Sequence, residues 1–173
     1  MARTRTTTLV LTATLGGIAV IGPVAPAATA ATVTPKRVTV AADLTSTQKI
    51  LYTVAPNDRV TYGFNLLEGT DARGASPVQV QMLGNVTYTK GSGPLFGTIT
   101  FTAADGSTLG VRMDGSARAL PNGTDAKFTA KLAVLGGTGE WLRAKGRGTF
   151  VGSRQAALGG TVRARFTIRL TNR

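Results

Sequence analysis

Tyr62, Tyr88 and Glu68 are the side chains of this sequence best suited to proton chemistry. A buried phenol is costly unless its hydroxyl finds a partner, and a phenol facing an apolar space can orient a carbonyl or act as a weak acid. Glu68 closes the alternating run Val60, Tyr62, Phe64, Leu66. It reads either as a general base whose pKa is raised by apolar neighbours or as a solvated turn carboxylate. The 173-residue chain has no histidine and no cysteine. That excludes Ser-His-Asp triads, thiol nucleophiles and ordinary zinc or copper centres. Eight scattered acids make a poor carboxylate cage for a hard cation. Gly136-Gly137-Thr138-Gly139 lies between two strand-like segments, where a phosphate loop would need a following helix.

The remaining candidates are apolar. Phe64, Met82, Phe101, Met113, Phe128, Phe150 and Phe166 share the inferred inner faces with the two tyrosines. They read either as a plain packed core or as the wall of a cavity for a hydrophobic small molecule, since small barrels do both. Trp141, after the glycine turn, is expected to plug a barrel end or pack under that turn.

The elements that must carry these residues are strands. In 161–170, Val162, Ala164, Phe166, Ile168 and Leu170 alternate with Thr161, Arg163, Arg165, Thr167 and Arg169. Period-two alternation puts successive side chains on opposite faces of a strand. The same pattern runs through 60–66, 78–89, 98–102, 109–114 and 126–134, and more weakly through 37–42 and 49–55. Pro56-Asn57-Asp58, Gly91-Ser92-Gly93-Pro94, Asp105-Gly106, Pro121-Asn122-Gly123 and Gly159-Gly160 punctuate it, and Asp-Gly and Asn-Gly suit tight hairpins. No segment keeps a helical period. Short connections between many strands predict an all-β, up-and-down antiparallel barrel, whose closure removes exposed sheet edges.

Arg3 and Arg5, the apolar run Leu9 to Ile21 and Ala28-Thr29-Ala30 have the order of a secretory signal. Cleavage near Ala30 predicts a secreted protein. The expected organisation is a signal peptide at 1–30, an extension with a first strand at 31–48, and a barrel at 49–173. The net charge is +12, and removal of Arg3 and Arg5 leaves +10. Such a field draws a protein toward anionic envelope polymers or membranes. Lys127, Lys131, Arg163, Arg165 and Arg169 fall on outward faces without interleaved aromatics, which argues against specific nucleic-acid recognition.

Gly97-Thr98-Ile99-Thr100-Phe101, Asp105-Gly106-Ser107-Thr108-Leu109, the turn from Leu135 to Trp141, and Ala144-Lys145-Gly146-Arg147-Gly148 resemble the allene oxide cyclase and dirigent barrel superfamily. Asp58 to Gly69 is similar to the cyclase segment that runs from an acidic turn through an apolar strand to a glycine. The resemblance implies an eight-stranded antiparallel barrel and a homodimer or homotrimer. It also implies a cyclase or isomerase that folds a polyketide- or terpenoid-like substrate in an apolar cavity, with no cofactor and no metal. The alternatives are a lipophile-binding barrel without catalysis and a packed structural domain. An asparagine of the cyclase strand aligns with Phe64, and alternation puts Asn65 on the other face. The dirigent arginine has only Arg112 nearby, pointing outward by alternation. The container carries over and the plant reaction does not.

Overall fold

The computed structural model describes residues 36–54, 59–74, 76–122, 124–155 and 159–172. The signal-peptide expectation and the Pro56-Asn57-Asp58 turn lie outside them. Eight strands follow in chain order: β1 (Lys36–Val54), β2 (Val60–Asp71), β3 (Val78–Thr89), β4 (Gly93–Ala103), β5 (Thr108–Ala119), β6 (Ala126–Gly137), β7 (Lys145–Arg154) and β8 (Val162–Asn172). A short 3₁₀ turn, Gly139–Trp141, separates β6 from β7. Every strand pairs antiparallel with its sequence neighbours, and β1 pairs with β8 to close the barrel. The two weak segments, 37–42 and the described part of 49–55, lie on one long strand: the first half of β1 pairs with β8, the second with β2, and a bulge at Ser46/Gln48 lies near the change.

Burial follows the predicted alternation in most of the wall. Val80, Met82 and Tyr88 point in from β3, Ile99 and Phe101 from β4, Leu109, Val111 and Met113 from β5. Phe128 and Leu132 do so from β6, and Val162, Phe166, Ile168 and Leu170 from β8. The centre is filled by aromatic rings. Phe166 lies edge-on to Phe101 at 5.2 Å and stacks on Phe150 at 5.0 Å, geometries that aromatic pairs prefer. Glycines at 146, 148 and 152 of β7 face this side; a methyl group at 152 would lie 2.7 Å from the Phe150 ring. Small residues opposite large ones are how a narrow barrel fills its interior.

β2 runs in the opposite parity to the one expected. Thr61, Gly63, Asn65, Leu67, Gly69 and Asp71 face in, while Tyr62, Phe64, Leu66 and Glu68 face out. The interior is crowded at the glycine positions of that face: a methyl group at Gly63 would sit 2.8 Å from Leu51 and 3.0 Å from Val86. The displaced apolar residues form an outer wall with β1, β3 and β4. Ile50, Phe64, Asn85 and Phe96 stand in one cross-strand row, with Tyr52, Tyr62 and Leu83 beside it. The outer surface thus carries an apolar cluster where the second half of β1 meets β2 to β4, and is not charged throughout.

Candidate functional site

One end of the barrel, where β1 joins β2 and β7 joins β8, opens into a pocket. Its walls include Leu51, Leu67, Met82, Val86, Leu95, Phe128, Phe150 and Val162. Its polar lining comes from Tyr88, Asn65, Arg154 and Lys49, with Gly159 and Gly160 at the rim. The cavity measures about 40 Å³. A water molecule takes about 30 Å³ in the liquid, so the space holds one or two small groups.

Tyr88 is 5% exposed. Burial pushes its phenol up to about 12, against the pull of the nearby Arg154 guanidinium. The hydroxyl therefore stays protonated through the physiological range. Among the described residues it makes no hydrogen bond. Arg154 ends the inward alternation of β7 after Phe150 and Gly152. Its guanidinium carbon lies 5.8 Å from the Phe128 ring centre, within cation–π range. Burial lowers its pKa, while Tyr88 and Asp125 act the other way, and a guanidinium stays charged in either case. Asn65 accepts a 2.6 Å hydrogen bond from the Ser46 hydroxyl, which fixes its amide at the wall.

The expected site residues divide into three groups. Met82, Tyr88, Phe128 and Phe150 line the pocket together. Phe101, Met113 and Phe166 are buried in the filled centre away from it. Tyr62, Phe64 and Glu68 lie in the outward register of β2, which corrects their inward placement. Tyr62 is 38% exposed and donates its hydroxyl to Asn85 Oδ1 at 3.1 Å. Phe64 borders the pocket but stands in the outer row beside Ile50 and Asn85. Glu68 is exposed and accepts a 3.0 Å hydrogen bond from Gln81 Nε2, so it sits on the outer surface rather than at the barrel mouth. Asn65, expected on the opposite face from the interior, points into it.

Sequence reasoning passed over Arg154 and Lys49 and put Asn65 on the wrong face. Arg154 shares the parity of Phe150, so the alternation of β7 alone would have placed it inside. Lys49 has no such signal, because the β1 bulge resets the parity of that strand.

The glycine turn at the opposite end is structural. Thr138 Oγ1 accepts from the Thr108 N–H at 3.0 Å, and Ser107 Oγ accepts from the Glu140 N–H at 2.9 Å. Ser107 is itself held by both carboxylate oxygens of Asp105. Gly139 has φ of +53°, and a side chain there would collide with Ser107. The turn seats Trp141, which is 4% exposed.

No protein-family model and no curated protein matches this chain. Among solved structures the chain is similar to the pterocarpan synthase dirigent protein, at 17% identity over 88% of this chain and 98% of that one, with a TM-score of 0.47. The barrel itself is established by its strand pairing.

Proposed function

We propose that the barrel binds a small apolar molecule by one end, with a hydrogen-bond acceptor on that molecule taking the Tyr88 hydroxyl. The observation that carries this reading is a buried, protonated phenol without a described hydrogen-bond partner, lining an apolar pocket. The Tyr88 ring is buried and its hydroxyl borders the pocket, where a guest carbonyl would accept from it. Arg154 and Lys49 add positive potential at the same mouth, which favours an acceptor bearing partial or full negative charge. The volume argues for a guest held by its tip: about 40 Å³ is far below the roughly 300–1,000 Å³ of pockets that enclose a whole ligand.

A cyclase or isomerase acting on a polyketide- or terpenoid-like substrate is the second reading. It is favoured by the same phenol, which donates to a developing oxyanion without ionising. It requires the interior to widen around a folded substrate.

Calorimetric titration with a long-chain methyl ketone, the matching fatty acid and the matching alkane separates these readings. Saturable binding of the ketone or acid, weak binding of the alkane, and about tenfold loss in Tyr88→Phe support the binding reading. Equal binding of ketone and alkane, or no binding of any, overturns it. Conversion of a linear polyene precursor faster than in buffer selects the catalytic reading.

A further inference from the structure

Arg169 on β8 stands directly between Arg37 on β1 and Arg147 on β7 in the cross-strand register. All three are exposed on the outer wall. Neighbouring strands are about 4.8 Å apart, so three like charges share a row about 10 Å long. Like charges placed directly opposite one another destabilise a sheet. Among the described residues none of the three makes an ion pair or a side-chain hydrogen bond.

The next row along the same strands is Thr39, Thr167 and Thr149, again directly opposed and all outward. Lys131 extends that row onto β6, and Arg165 and Arg163 continue the positive charge along β8. Arg147 stands between two shallow surface grooves, one lined by Arg112 and Lys131, the other by Lys145 and Arg169. A row of repulsive cations beside a row of hydroxyls is poorly explained by folding. It is explained by a ligand that repeats both anions and hydroxyls.

We infer that this wall of β1, β8 and β7 binds an acidic polysaccharide, with carboxylates on the arginine row and sugar hydroxyls on the threonine row. Guanidinium groups present planar forks that match carboxylates. Threonine hydroxyls both donate and accept, as contacts to a polyol require. The exposed positions of these rows carry no aromatic side chain, whereas single-stranded nucleic acid is held by stacking. The contiguous exposed apolar cluster lies on the second half of β1 and on β2 to β4, away from the arginine row. Near that row the exposed apolar side chains are Leu135, Leu142 and Val151, a small complement beside the cations for entry into a lipid surface.

The test uses the full chain and polygalacturonate, with duplex DNA and phosphatidylglycerol vesicles as competing probes. Saturable binding to polygalacturonate that weakens with salt is expected. The pair Arg147→Gln and Arg169→Gln should lower affinity about tenfold, and Thr167→Val should lower it for polygalacturonate but not for DNA. Arg169→Gln alone should raise the thermal midpoint by about 1–3 °C without ligand, because it removes repulsion across the row. Unchanged affinity in the arginine pair overturns the inference. So does tighter binding to DNA or to the vesicles than to polygalacturonate, or a Thr167→Val effect equal on all three probes.

Discussion

The carboxylate of Asp71, at the end of β2, accepts a 2.8 Å hydrogen bond from the backbone N–H of Ala41, thirty residues earlier in β1. Arg73 completes the clasp. It donates to both Asp71 oxygens, and its Nη2 donates to the Ala41 carbonyl at 2.8 Å. Pairing of β1 with β2 ends at Thr45 and Glu68, and beyond that point β1 pairs with β8. Two side chains thus replace the missing ladder and satisfy backbone groups that would otherwise cost stability. No alternation pattern marks either residue, because the contact depends on where β1 changes partner.

The clasp predicts an acid-sensitive term. Its hydrogen bonds, led by those from Arg73, hold the Asp71 carboxyl at about 2 against an ordinary 3.8. The unfolded chain binds more protons between these values, so this contribution is complete above about pH 4–5 and is lost as pH falls through about 2. Asp71→Asn should cost about 1–2 kcal/mol at neutral pH. The lower end is expected, because Arg73 is 59% exposed and its charge is screened. Urea midpoints of both proteins from pH 7 to pH 2 should converge at the acid end; a constant difference would assign the effect to packing.

Tyr88→Phe should change stability by less than about 1 kcal/mol, because among the described residues the hydroxyl makes no hydrogen bond that the variant would lose. Spectrophotometric titration should show the phenol of Tyr88 ionising near 12, and that step should vanish in the variant. A loss of more than about 1 kcal/mol would reveal an internal hydrogen bond and remove the argument for a guest acceptor.

Phe150→Ala should open the pocket toward the centre of the barrel, since Phe150 both lines the pocket and stacks on Phe166. A stability loss of about 3–5 kcal/mol is expected from thermal unfolding. If the pocket is the ligand site, bulkier ketones should bind the variant better than the parent. Binding that is indifferent to this enlargement would place the site elsewhere.

Among the described residues, Trp141 Nε1 is buried with no hydrogen-bond partner. Trp141→Phe should therefore cost less than about 2 kcal/mol, because the ring is kept and an unsatisfied donor is lost, while Trp141→Ala should cost about 3–5 kcal/mol. Denaturant midpoints of the two variants check the difference; equal losses would mean that the indole N–H is satisfied.

The strand content and antiparallel order were legible from local pattern. Alternation in β3, β5, β6 and β8 records which face meets the core, since each of those strands has one wet and one dry side. That same reasoning inverted β2, where the apolar parity is the outer one. Alternation reports that two faces differ, not which of them is inside, and the choice fell to volume: an added methyl group would press on Leu51 and Val86 at Gly63 and on the Asp43 carbonyl at Gly69, so among the inward positions of β2 Leu67 alone carries a large apolar side chain. Residue types and their alternation were enough for a histidine- and cysteine-free, basic, all-β chain with an aromatic interior. Tertiary structure alone decided that Tyr88 rather than Tyr62 is buried, that the cavity is small, and that Arg37, Arg147 and Arg169 stand in one row. Those facts depend on register between strands distant in sequence, which is set only when the barrel closes.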